Sequence, residues 1–116
     1  MGKLLSSAIK MQGNGGGGTA TIQIYNDSGG GLNNCAWVKN GVTQASIPNG
    51  SSFIGTLNAG DTFYVYASSV LFGGATVEYY LNGTFIAAYF GDPIGQTPTL
   101  TASAGNTYTF SCYEGA

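Results

Sequence analysis

The residues able to do chemistry are few. Five carboxylates (Asp27, Asp61, Glu78, Asp92 and Glu114), three lysines (Lys3, Lys10 and Lys39) and two cysteines (Cys35 and Cys112) stand in a chain with no arginine and no histidine. Without imidazole, histidine acid–base catalysis and histidine-activated serine or cysteine nucleophiles are excluded. Without arginine or a Gly-Lys-Ser/Thr loop, a phosphoryl-transfer site lacks its usual electrophiles. A pair of carboxylates can cleave a glycoside. Here, though, Asp27, Asp61 and Asp92 each stand beside Asn, Gly or Pro, where an aspartate most often closes a turn. Glu78 lies between Val77 and Tyr79 in a strand pattern and is expected to face solvent. No Asp-x-Asp spacing marks a calcium loop, and two cysteines alone make no zinc site. The chain is expected not to be an enzyme and to need no cofactor or metal.

The cysteines sit near the two ends of the patterned region. Cys35 has Trp37 two residues on, and Cys112 has Phe110 two residues back, so both sulfurs are expected to point into a core. Two outcomes stay open. A Cys35–Cys112 disulfide would close a long loop, worth on the order of 4 kcal/mol by loop entropy. Alternatively, both thiols act as small buried apolar groups. Tyrosine is the other resource, with eight in the chain. Tyr64 and Tyr66 alternate against Phe63 and Val65, and Tyr80 against Tyr79 and Leu81. If the apolar partners are core, Tyr64, Tyr66 and Tyr80 face outward. Exposed tyrosine is an amphipathic contact group that loses little entropy on ordering, while outward aromatic pairs can also merely stabilise a sheet. Trp37, Tyr64, Tyr66 and Tyr80 are the candidate contact surface.

These groups need a scaffold. The chain has 116 residues, 43% of them apolar and 7% charged. That is one domain with enough apolar material for a single two-layer core. Average soluble proteins carry about 25% charged residues, so this surface must be covered by neutral hydroxyls and amides. Low net charge, here −2, tends to favour association. A nucleic-acid partner is not expected, because the clustered cations that grip phosphates are missing. No run reaches the ~20 apolar residues of a membrane-spanning helix. Met1 is followed by no clear secretion signal, since Ser6 and Ser7 interrupt the apolar stretch and Lys10 ends it. An unprocessed chain, or one whose leader was removed, is expected.

Two regions follow from the pattern. Residues 1–18 read as an arm and glycine linker, and residues 19–116 as a β domain. Leu4, Leu5, Ala8 and Ile9 fall on one helical face, but the stretch is too short for a stable lone helix. Leu4, Leu5 and Ile9 are therefore expected to anchor the arm, helical or extended, on something else. Gly15 to Gly18 make a flexible tether. From Thr19 onward the chain alternates with a period of two, punctuated by turns. Strands are expected at 19–25, 34–39, 42–47, 52–57, 62–68, 75–81, 84–90, 97–102 and 107–113. Asn40-Gly41 and Asn82-Gly83 are hairpin turns. In the second hairpin Phe85, Ala87 and Tyr89 are expected to share one face. No helix is available for parallel crossovers. The fold class is all-β: an antiparallel β-sandwich of about seven to nine strands, immunoglobulin-like or jelly-roll-like.

The run Ala104-Gly105-Asn106-Thr107-Tyr108-Thr109-Phe110-Ser111-Cys112 resembles the penultimate-strand region of immunoglobulin-type domains, where an aromatic precedes the cysteine by two residues. Phe110 stands where that family has its corner tyrosine, so the corner hydrogen bond is not expected. Trp37 also follows Cys35 too closely. Over its whole length the chain resembles small virus and phage virion proteins of the decoration or vertex type: a short arm, a glycine tether and a low-charge β module. That resemblance implies a structural subunit of a symmetric assembly, located in the virion, with other copies of itself and neighbouring shell proteins as partners. Two alternatives remain. One is a carbohydrate-binding module, with Trp37 or the outer tyrosines stacked on a surface glycan. The other is a secreted filament or pilus subunit.

Overall fold

The computed structural model describes residues 17–29 and 31–116. Leu4, Leu5 and Ile9 lie outside the described residues. Ten strands follow in order: β1 (Thr19–Asn26), β2 (Asn34–Lys39), β3 (Val42–Thr43), β4 (Ser52–Asn58), β5 (Thr62–Ser68), β6 (Ala75–Leu81), β7 (Thr84–Gly91), β8 (Ile94–Gln96), β9 (Leu100–Thr101) and β10 (Thr107–Glu114). No helix occurs among the described residues. One sheet runs β9-β5-β2-β3, with β8 also on β5; the other runs β4-β1-β10-β6-β7.

The two sheets share one apolar core, and the period of two explains why. Ile22 and Ile24 of β1, Phe63 and Val65 of β5, and Phe110 and Cys112 of β10 all point inward and are buried. Aromatic rings bridge the layers. Phe63 meets Tyr108 edge-on at 5.1 Å and Phe110 at 6.2 Å. Tyr79 stacks on Phe110 at 5.2 Å. The turn at Asn82-Gly83 has φ of 51° and 84°, and the turn at Asn40-Gly41 has 50° and 80°. Both are left-handed pairs, as a two-residue hairpin demands.

Four expectations need correction. First, the sandwich is not wholly antiparallel: β10 lies parallel to β1, with Tyr108 beside Ile22 and Phe110 beside Ile24. A parallel pair needs a long crossover, not specifically a helix, and here the domain between its first and last strands is that crossover. Second, the expected strand 42–47 pairs regularly only at Val42–Thr43. Its remainder stays on β2 through single bonds, Gln44 N–H to the Trp37 carbonyl and Ile47 N–H to the Cys35 carbonyl, both 2.8 Å.

Third, the expected strand 97–102 pairs only at Leu100–Thr101 (β9), and an unexpected short strand, Ile94–Gln96 (β8), precedes it; both lie on one side of β5. Pro98 has no N–H to give. Thr97 fills the gap from its side chain: its Oγ1 accepts the Val65 N–H at 3.2 Å, while its own N–H reaches the Val65 carbonyl at 3.0 Å. Fourth, Phe85 does not share a face with Ala87 and Tyr89. Tyr79 pairs with Ala87 but Tyr80 pairs with Phe85, so Ile86 is an extra residue in β7. This bulge turns Phe85 to the outer side. With the unexpected β8, the strand count among the described residues rises to ten.

Candidate functional site

The four aromatics singled out by sequence do not form one surface. Tyr64 and Tyr66 lie on the outer face of the β5 sheet, ring centroids 6.4 Å apart. Their register partners are Val38 and Ala36, and both of these outward residues are buried. The two rings therefore act as a cover for a second, thin apolar layer. Tyr80 is on the opposite side of the molecule, on the outer face of the β10 sheet. Trp37 lies between the sheets, 4% exposed and 5.6 Å from the Phe53 ring. So little of the indole is free that it offers no flat platform to a sugar ring. It floors a hollow of about 240 Å³ lined by Gln44, Ser46, Pro48 and Phe53. That is below the ~300–1,000 Å³ of ordinary small-molecule sites.

Cys35 and Cys112 come from opposite sheets and meet in the core, both free and buried. The neighbouring Cys35 thiol, together with burial, pushes the Cys112 thiol well above the usual range. Cys112 is therefore no poised nucleophile, because the thiolate is the reactive form. Among the described residues, no group of three or more His, Cys, Asp or Glu side chains gathers to hold a metal. No helix among them is long and apolar enough to cross a membrane.

The outer face of the β10 sheet is the more organised one. Cross-strand register sets Gln23, Thr109, Tyr80 and Phe85 in one row, and Tyr25, Ser111, Glu78 and Ala88 in the next. Thr109 Oγ1 donates to Gln23 Oε1 at 3.1 Å. Ser111 donates to Asp27. The Glu78 carboxylate accepts Tyr80 and Tyr113, one on each oxygen, both at 2.8 Å. Its negative charge raises both phenol pKa values: for Tyr80 the hydrogen bond to Glu78 is the main cause, and for Tyr113 burial leads with Glu78 second.

The side of this sheet carries the feature that sequence reasoning missed. β7 pairs only with β6, so its other edge is open among the described residues. Phe85 is 53% exposed and Phe90 52%. Nine large apolar residues are exposed among those described, and seven of them lie on β7, on the loop before β6 or at the start of β8. The loop residues lie beside the far end of β7. Ser69 N–H bonds the Pro93 carbonyl at 2.9 Å, tying the loop that carries Leu71 (79% exposed) to the turn after β7. Gly74 packs against the Phe90 ring. An apolar, uncharged, long edge strand is what most proteins avoid. The available signal is the unbroken run Thr84-Phe85-Ile86-Ala87-Ala88-Tyr89-Phe90, in which alternation puts only Phe85, Ala87 and Tyr89 on one face of a hairpin strand.

Comparison with known protein families, curated proteins and solved structures finds no match to this chain.

Proposed function

We propose that this chain is a structural subunit of a symmetric assembly. The observation that carries the reading is the open β7 edge, which bears Phe85, Ile86 and Phe90 exposed, with four more exposed large apolar residues on the loop before β6 and at the start of β8. Exposed patches of this kind, on monomers rarely above a few hundred Å², mark interaction surfaces. The low charge of the chain agrees, since little repulsion opposes close packing of copies. In this reading residues 1–18 are an anchoring arm, with Leu4, Leu5 and Ile9 as its apolar contacts. A virion surface is the form of assembly suggested by the sequence-level resemblance to decoration and vertex proteins.

An immunoglobulin-like variant of the sandwich fits a detail of the last strand. The Tyr108 hydroxyl accepts the Ser103 N–H at 2.9 Å and donates to the Thr101 carbonyl at 3.4 Å. A tyrosine hydroxyl returning to backbone just upstream is the corner contact of that family. It is made here four residues before Cys112 instead of two. The carbohydrate alternative rests on Tyr64, Tyr66 and Tyr80, because Trp37 is covered.

The test is the mass of the full chain in solution, measured by light scattering over a wide concentration range, beside a chain lacking residues 2–12. Assembly into a species of fixed stoichiometry is expected, with normal folding but impaired assembly after the deletion. A full chain that stays at 11.8 kDa throughout ends the proposal.

A further inference from the structure

We infer that the partner of the open β7 edge is the β7 edge of a second copy, paired antiparallel about a two-fold axis at Ala88. This rests on the assembly reading and specifies its contact. An open strand edge offers a row of N–H and C=O groups that another strand completes, and a two-fold contact requires a self-complementary edge. β7 meets that requirement in its side-chain order. Ala87 and Ala88 at its middle are small enough to let two backbones close. The bulge places Phe85 on the outer face beside Tyr80, the same face that carries Phe90 beside Thr76.

With Ala88 on the axis, Ala87 of one copy faces Tyr89 of the other. Phe90 then lies opposite the bulged Phe85–Ile86 pair. In the β6–β7 ladder the extra Ile86 makes β7 bulge beside Phe85, and in the proposed pair this bulged stretch is the socket for the second copy's Phe90. The two five-stranded sheets join into one continuous sheet. The loop carrying Leu71 meets the Phe85 end of the other copy.

The area agrees. Fully buried aromatic side chains cover about 150–250 Å², so seven apolar side chains about half exposed or more offer on the order of 700 Å² per copy. Standard interfaces bury about 800 Å² per partner. The opposite edge strand, β4, presents Ile54 as its one exposed large apolar residue, and it serves as the control.

The experiment uses the full chain. Sedimentation equilibrium on the native protein gives its mass. Ala88→Cys and, as control, Thr56→Cys on β4 are then oxidised mildly with a small-molecule disulfide. Covalent dimer is read by non-reducing mass spectrometry. A native dimer is expected, with Ala88→Cys cross-linking at least tenfold faster than Thr56→Cys. Ala88→Lys, which folds beside its register partner Glu78, is expected to weaken the dimer about a hundredfold with an unchanged circular dichroism spectrum. A native oligomer whose Ala88→Cys form cross-links no faster than the control overturns the β7 pairing and leaves the assembly reading standing. A native chain that is monomeric up to about 1 mM overturns both.

Discussion

Glu78 and Tyr113 lie on neighbouring strands of the β10 sheet, and the Tyr113 hydroxyl donates to the Glu78 carboxylate at 2.8 Å. Tyr80 donates to the other oxygen at the same distance. One carboxylate thus ties two aromatic rings to one outward face, and it does so from a strand position that faces solvent in the sequence pattern. The linkage has a direct consequence at high pH. A phenol whose pKa is raised on folding keeps its proton where the unfolded chain has lost it. Its contribution is complete below the ordinary tyrosine range near ~10 and is lost as pH climbs through the raised value.

In Glu78→Gln the charge disappears while the acceptor geometry is largely kept. The Tyr80 titration, raised mainly by Glu78, should move down towards the ordinary value. The Tyr113 titration should move less, because burial leads there. Ultraviolet titration of the folded protein measures both. Equal curves for the two proteins would show that Glu78 does not hold these phenols.

Tyr108 is 4% exposed, and its hydroxyl joins the turn before β10 to the Thr101 carbonyl. Tyr108→Phe keeps the ring contact with Phe63 but leaves the Ser103 N–H without this acceptor. Ser103 is exposed, so water can replace that acceptor, and the loss is the net worth of an ordinary hydrogen bond, about 0.5–1.5 kcal/mol. Urea unfolding should show a loss within that range, with an unchanged slope. A neutral result would mean that the corner contact contributes nothing to stability.

The two cysteines give a labelling prediction. Both thiols are buried, and Cys112 is held protonated by its neighbour and by burial. In the folded protein, iodoacetamide at pH 8 should leave them unmodified for hours. In guanidinium without reductant, both should label within minutes. If labelling in guanidinium requires prior reduction, the purified protein carries the Cys35–Cys112 bridge instead of two thiols.

Gly95 sits where β8 crosses the end of β6, and a Cβ there would collide with the Ala75 carbonyl oxygen. Backbone on both sides leaves no flexible atom to move aside. Gly95→Ala should destabilise the domain by about 2–3 kcal/mol, at the upper end for overpacking. Gly50→Ala, with nothing within 4 Å of its added Cβ, isolates the separate cost of a positive φ. A Gly95→Ala variant as stable as the parent would mean that β8 is free to shift.

Much of the fold was readable from local chemistry. Alternation along the sequence puts Ile22 and Ile24, Phe63 and Val65, and Phe110 and Cys112 on shared faces, and all six are buried. Asn40-Gly41 and Asn82-Gly83 were marked as hairpin turns, and both have the left-handed backbone that such turns need. These signals sit within two or three residues of the feature they describe. The candidate site was less readable. Trp37, Tyr64, Tyr66 and Tyr80 were grouped by residue type, yet they occupy the interior and two opposite faces.

By itself the sequence determined that this is an all-β chain, which residues of most strands point inward, and which catalytic chemistries it has no groups to perform. The tertiary structure decided that β10 runs parallel to β1, that Thr97 bridges the break at Pro98, that Ile86 is an extra residue turning Phe85 outward, and that β7 is left at an edge among the described residues. Each of these depends on which strands become neighbours across many residues of chain. A strand's own alternation is the same whether it lies in the middle of a sheet or at its border. Only the assembled sheet shows which backbone row has no partner.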